Sequence, residues 1–235
     1  MRVLAHTLPV AVDAVAAGRV APGALDVHAP TTIPTTQVAI VRIAPPTPLP
    51  SVRFRRILVA MPITYRELDR SRDRRGVEAI DTSFETATVF DLVTSARSID
   101  LVERRLEQPL TKRYSIDEVF AGWARWTHGW VAEDNGIHGF ATVEYEPWHN
   151  RLILWFLYIS PGWRRRGVGR GLLEQVEAHG RRVGATHVWL ETSNVNVPGI
   201  EAYTRLGYGL CGADRLYYGH YMPGETAIYL AKMLR

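Results

Sequence analysis

The chain has a single cysteine, Cys211, in 235 residues. One thiol forms no internal disulfide and suits a reducing compartment, so a cytoplasmic location is expected. The eight histidines are scattered, with no H-E-x-x-H and no Cys/His cluster. No metal site is therefore expected. No apolar run approaches the ~18 residues of a membrane span. The apolar N-terminal stretch is interrupted by His6, Pro9 and Asp13, a poor match to a secretory signal. The tripeptide Gly-Lys-Ser/Thr is absent, which removes the P-loop class of nucleotide sites.

Acidic residues are scarce only at the start. Residues 1–60 hold six Arg and two Asp. With those set aside, the chain's 28 basic and 24 acidic side chains balance at 22 each over 61–235. The formal charge of +4 belongs wholly to the first sixty residues. The remainder has no net field to draw it to nucleic acid or an anionic membrane, and neither partner is expected. Residues 1–60 also hold eight of the 14 prolines and one aromatic, Phe54. They lack the material for a core and are expected to be a disordered or spurious extension. A globular pattern begins at Met61, so 61–235 is expected to be one domain.

Within it the pattern alternates strands and helices. Ile63–Leu68 alternates as a strand, and Asp73–Phe84 suits a short helix. Ala87–Ser95 and Ile99–Glu107 suit a hairpin. Ser115 is a candidate N-cap for a helix to about His128. That helix would carry Trp123, Trp126 and Trp130 on one packing face. Trp130–Asp134 and Ile137–Glu146 read as a hairpin turning at Asn135-Gly136. Leu152–Ile159 is almost wholly apolar, as in a strand covered on both faces. Helices over Gly167–Val183 and Pro198–Leu206 flank a strand over His187–Glu191. Tyr208–Cys211 and Thr226–Met233 close the fold, with Cys211 expected as a buried apolar filler. The class is α/β with a mixed sheet.

The run after the apolar strand, Pro161-Gly162-Trp163-Arg164-Arg165-Arg166-Gly167-Val168-Gly169-Arg170-Gly171, is a basic, glycine-rich turn opening a helix. Such a turn suits phosphate, because glycines allow close backbone approach and the first helical N–H groups face the anion. The dinucleotide pattern G-x-G-x-x-G fails at Leu172. Downstream stand Leu190-Glu191-Thr192-Ser193-Asn194-Val195-Asn196 and Ala202-Tyr203-Thr204-Arg205-Leu206-Gly207-Tyr208.

R-x-x-G-x-G, then Asn, then Tyr seven residues later and Gly-Tyr resembles the GCN5-related N-acetyltransferase (GNAT) family, from about Met61 to Leu234. The resemblance implies a mixed, mostly antiparallel central sheet flanked by helices, with acetyl-CoA as co-substrate. It implies that backbone N–H groups of Arg165, Arg166, Gly167, Val168, Gly169 and Arg170 hold the pyrophosphate. Main-chain groups of Leu157, Tyr158 and Ile159 would line the pantetheine arm, and Asn196 would reach it. Tyr203 would be the general acid. A phenol near its reference pKa of about 10 stays protonated at neutral pH and can donate to a thiolate. Glu191 would be the base, a role implied by likeness to the branch that acetylates ribosomal-protein N-termini. The plain readings of these residues are a solvated basic turn, a helix-start Asn, a core Tyr and a solvated strand-end Glu.

Together with Leu190–Asn196, four further segments resemble the streptothricin acetyltransferases within that family. They are Ile80-Asp81-Thr82-Ser83-Phe84, Pro109-Leu110-Thr111-Lys112, Leu210-Cys211-Gly212-Ala213-Asp214 and Gly224-Glu225-Thr226-Ala227. The implied acceptor is a small-molecule primary amine. The strand Leu154-Trp155-Phe156-Leu157-Tyr158 has no acid, and the segment after Pro109 offers only Asp117 and Glu118. Few carboxylates are thus expected near a cationic acceptor. A peptide N-terminal acetyltransferase and a non-catalytic acetyl-CoA-binding module are the competing classes.

Overall fold

The computed structural model describes residues 63–235; the expectation for residues 1–60 lies outside them. The described chain runs β1 (Thr64–Glu67), α1 (Arg74–Glu78), β2 (Phe84–Thr94), β3 (Ile99–Lys112), β4 (His128–Glu133), β5 (Ile137–Glu146), β6 (Arg151–Ile159), α2 (Val168–Val183), β7 (His187–Ser193), α3 (Val197–Arg205), β8 (Gly209–Asp214) and β9 (Ala227–Met233). Seven strands form one sheet in the order β1-β4-β5-β6-β7-β9-β8, and β2 and β3 pair as a separate hairpin. Only β6 and β7 are parallel. Every other neighbouring pair is antiparallel. This is the mixed, mostly antiparallel α/β sheet expected.

Each face of the sheet carries its own core. On one face α2 lays Val168, Leu172, Leu173 and Val176 against Ala141, Val143, Leu152, Leu154 and Leu190. The i, i+4 spacing of 168, 172 and 176 makes that stripe. Gly171 lets α2 approach closely, since a Cβ there would sit 2.2 Å from the ring of Tyr65. The other face buries Val77, Val119, Trp126, Val131, Phe140 and Phe156.

A bulge in β6 decides which side chains reach the site. The β5–β6 register jumps from Thr142↔Phe156 to Val143↔Leu154, leaving Trp155 without an opposite residue. An extra residue inverts the in–out alternation. Leu152 and Leu154 therefore face α2, Phe156 and Tyr158 face the opposite cluster, and Leu157 and Ile159 turn back toward α2.

Three expectations are corrected. The helix placed over Asp73–Phe84 covers only Arg74–Glu78. Asp73 is taken up by Arg66 at 2.7 Å and makes no cap bond, and Thr82 donates to the Tyr114 carbonyl at 2.6 Å. No α-helix spans Ser115–His128; a single 3-10 turn covers Asp117–Phe120 and Ser115 does not cap it. Ala121 is extended, and the Trp126 indole N–H folds back to the Val119 carbonyl at 2.6 Å. Trp126 lies in a loop and Trp130 on β4, on opposite faces of the sheet, so tertiary burial overrides the helical spacing. Cys211 is exposed on the edge strand β8 rather than a buried filler.

Candidate active site

The β6–β7 ladder runs only from Arg151↔His187 to Leu154↔Leu190. Beyond it β6 stays with β5 as far as Gly139↔Ile159, and β7 stays with β9 as far as Ser193↔Ala227. The two parallel strands therefore part at the Trp155 bulge. Trp155–Ile159 and Glu191–Ser193 face a gap at their carboxyl ends, where open α/β sheets take their ligands. Leu157, Tyr158 and Ile159 stand on one wall and Glu191 on the other.

The basic turn closes one end of this gap. Arg165 at φ 59° and Gly167 at φ 86° reverse the chain into α2, a left-handed pair that only glycine adopts freely. Gly167 is the N-cap residue and no side chain caps the helix. The first intrahelical bond is Gly171 N–H to the Gly167 carbonyl, 3.0 Å. The N–H groups of Val168, Gly169 and Arg170 are left without intrahelical acceptors, at the positive end of a 16-residue helix. Arg164 is committed elsewhere, its Nε donating to the Ile159 carbonyl at 2.9 Å. Arg166 lies 5.3 Å over the Trp163 ring, which stacks on His138 at 4.0 Å.

Glu191 sits low in the gap, where burial pushes its carboxyl up to about 7. A hydrogen bond from the Tyr218 hydroxyl opposes that rise, and the Glu225 charge adds to it. Tyr203 projects from α3, packed edge-on to Tyr208 at 5.7 Å. Burial raises its phenol, and the nearby Glu191 charge raises it further. Tyr203 is therefore a fully protonated donor at neutral pH, beside the carboxylate. Burial likewise raises Tyr158, with Glu118, Tyr203 and Glu191 adding to it. The structure thus brings Glu191, Tyr203 and Tyr158 into one electrostatic group.

Asn196 is the N-cap of α3. Its Oδ1 accepts from Gly199 N–H at 3.2 Å and its Nδ2 donates to Thr192 Oγ1 at 2.9 Å. Its amide thus already has a structural task.

Residues not singled out in the sequence complete the surroundings. Tyr114, just past β3, bridges Phe84 (6.0 Å) and Tyr158 (6.2 Å) through ring contacts. Its hydroxyl is buried with no hydrogen-bond partner among the described residues. Tyr218 comes from the β8–β9 loop. The signal for it is the aromatic density of Tyr217-Tyr218-Gly219-His220-Tyr221. Asn194 donates to the Phe90 carbonyl at 2.7 Å and accepts from Thr226 N–H at 2.8 Å, tying the β2–β3 hairpin to the main sheet.

Three of the four distant segments meet here. Phe84 pairs with Lys112 in the hairpin register. Lys112 forms an ion pair with Glu225, whose other oxygen accepts from Ser193 Oγ at 2.5 Å. Glu225 in turn acts on Glu191. The acid-poor β6 is thus compensated from elsewhere: Glu118, Glu191 and Glu225 all reach the tyrosines of this gap from other elements.

A parallel pair that parts at a bulge, beside a bare helix N-terminus and a half-buried carboxylate–phenol pair, has the parts to hold an anion at one end and move a proton at the other. Residues 96–208 match the Acetyltransferase (GNAT) family. The chain belongs to this family and is an N-acetyltransferase. It is similar to the streptothricin acetyltransferase of Streptomyces lavendulae, 36% identical over 172 residues, spanning 69% of this chain and 90% of that one. It is also similar to the crystal structure of nourseothricin acetyltransferase, at TM-score 0.66 and 34% identity, covering 74% of this chain and 99% of that one. A Bacillus anthracis structure in complex with acetyl coenzyme A shares the fold, at TM-score 0.63 and 24% identity, covering 73% and 99%.

Proposed function

We propose that the protein moves the acetyl group of acetyl-CoA onto a primary amine of a streptothricin-type antibiotic, the β-lysine amine being the leading acceptor. The observation that carries this reading is the convergence of Phe84, Lys112, Ser193 and Glu225 beside Glu191. These residues lie outside the cofactor turn, so cofactor binding alone does not account for them. The similarity to streptothricin and nourseothricin acetyltransferases over most of the described chain supports it.

In this reading the bare N–H groups from Arg165 to Arg170 grip the pyrophosphate of acetyl-CoA. Main-chain groups of Leu157, Tyr158 and Ile159 hold the pantetheine arm in the gap, and Asn196 lies along it. The amine lone pair attacks the thioester carbonyl carbon, and the proton lost from nitrogen passes to Glu191, directly or through a water. A base near 7 suits this better than an ordinary carboxylate near 4, because its basicity lies closer to that of the amine. As the C–S bond breaks, Tyr203 gives its phenolic proton to the departing sulfur, and the proton taken up by Glu191 returns to the Tyr203 phenolate through solvent, restoring both groups. The products are the acetylated antibiotic and CoA thiol.

The test offers streptothricin, an aminoglycoside, a polyamine and a peptide with a free N-terminus, and follows CoA release. Streptothricin is expected to turn over fastest. Clear preference for the peptide would overturn the antibiotic reading. Tight acetyl-CoA binding without turnover of any of the four would overturn the antibiotic reading and leave the acceptor amine open.

A further inference from the structure

Tyr218 has no place in the scheme above, yet it is placed with care. It is 7% exposed, on a loop between β8 and β9, 27 residues from Glu191. Its hydroxyl donates to Oε1 of Glu191 and is the single protein hydrogen bond to that carboxylate among the described residues. The loop itself is anchored. Arg215 reaches the Leu92 carbonyl of the hairpin at 2.6 Å, and Leu216 N–H caps on Asp214 Oδ1 at 2.7 Å. Gly219 and Tyr221 close tight turns onto the carbonyls of Leu216 and Tyr218, at 3.0 and 3.1 Å. Tyr217 packs edge-on to both Tyr218 (5.3 Å) and Tyr229 (6.1 Å), which fixes the ring from behind.

A half-buried carboxylate held by nothing rotates about its last bond and presents either oxygen in any direction. Holding Oε1 leaves Oε2 as the one oxygen available, in a fixed orientation. A proton in flight needs that order, because general-base catalysis depends on hydrogen-bond geometry before basicity. The same bond favours the ionised form, opposing a burial that alone would keep Glu191 protonated through neutral pH. Tyr218 is not a second acid, since its proton is already donated to Glu191, whereas Tyr203 makes no such bond.

We propose that Tyr218 is a positioning residue for the reaction: its phenol holds one oxygen of Glu191 and aims the other at the acceptor amine. The proposal rests on Glu191 being the base. The other ionisable groups facing Glu191 are Glu225, held by Lys112 and Ser193, and the phenols of Tyr114, Tyr158, Tyr203, Tyr217 and Tyr229. None of these is hydrogen-bonded to the Tyr218 hydroxyl, so Tyr218→Phe removes only the bond to Glu191.

The experiment measures kcat/KM for streptothricin against pH, with acetyl-CoA saturating, for wild type, Tyr218→Phe and Glu191→Gln. The amine's own titration is common to all three, so differences between profiles isolate the carboxylate. Tyr218→Phe is expected to move the acid limb upward by about one pH unit or more, the worth of a hydrogen bond to a charged group. Turnover should fall while calorimetric affinity for acetyl-CoA stays the same. An acid limb in the wild-type position overturns the positioning role. Glu191→Gln should remove that limb; a Gln protein with the wild-type profile and rate refutes the base assignment itself, whatever Tyr218 does. If the Phe protein does not fold, 3-fluorotyrosine at position 218 decides. Its more acidic phenol donates more strongly and should move the limb downward, and no movement overturns the proposal.

Discussion

Gly169→Glu separates cofactor binding from stability, because the two should move in opposite directions. Gly169 is the second residue of α2, one of three whose N–H groups have no intrahelical acceptor. A Cβ there meets only Ile159 Cδ1, at 3.3 Å, so the side chain has room at little steric cost. A carboxylate in the first turn of a helix is favourable by about 0.3–1 kcal/mol, and replacing glycine in a helix interior gains about as much again. The folded protein should therefore hold its melting temperature or gain slightly. The same carboxylate occupies the donors that the pyrophosphate needs and repels its charge. Losing one or two charge-assisted hydrogen bonds, at about 1.5–3 kcal/mol each, weakens binding on the order of 10²-fold or more. Titration calorimetry with CoA, together with thermal melts of both proteins, reads the two effects. Gly169→Ala serves as control and should bind nearly as well as wild type. A folded Gly169→Glu protein with unchanged affinity for CoA would refute the placement of the phosphate site.

Three more outcomes follow from the same geometry. Because burial raises Glu191 above its unfolded value, its ionisation costs stability as pH climbs from about 4.5 to about 7, and the cost is full above that. Glu191→Gln should thus be more stable than wild type at pH 8, by up to about 3 kcal/mol, and equal to it near pH 4, while turnover falls about 10²-fold or more; equal melting temperatures at both pH values would refute the burial argument. Tyr203→Phe should lower the turnover number by a similar factor with acetyl-CoA affinity intact, measured by steady-state kinetics and calorimetry, and an undiminished rate removes Tyr203 from the proton path. Gly171→Ala puts a methyl group 2.2 Å from the tip of the half-buried Tyr65 ring, which must shift; the overpacking cost of about 1–3 kcal/mol is offset by about 1 kcal/mol of helix propensity, so urea denaturation should show a net loss of no more than about 2 kcal/mol, and a larger loss would show that the ring cannot move.

The half of the site proposed to bind the cofactor was readable because it is local. The strand Leu152–Ile159, the glycine turn and the helix it opens are one continuous stretch, and each carries its own signal: an apolar run, residues suited to positive φ, and a 3.6-residue stripe. The structure returns all three nearly as expected, with β6 at Arg151–Ile159 and α2 at Val168–Val183. Local patterns misled where long-range packing decides. Trp123, Trp126 and Trp130 have helical spacing, yet burial on two different faces of the sheet pulls the segment into a loop and a strand. The bulge at Trp155 left no mark in a run of uniformly apolar residues, because a one-residue offset changes which face each side chain takes without changing composition.

The acceptor side was not readable as geometry, for the complementary reason. Its parts come from residues 84, 112, 114, 191, 193, 218 and 225, and no period or spacing links them. The acid-poor strand pointed to a weak attraction for cations. The fold supplies the missing charge from other elements: Glu225 from the end of the β8–β9 loop, Glu118 from the 3-10 turn, and Glu191 from β7. Lys112 then offsets Glu225, and Tyr218 restrains Glu191. The charge around Glu191 is therefore set by pairings across 27 to 113 residues of sequence. In such a site the number of acids in any one segment is a poor guide to selectivity. The pairing of each acid decides how much of its charge it keeps, and Glu191, restrained by a phenol rather than neutralised by a cation and raised by burial to about 7, is left able to exchange a proton near neutral pH.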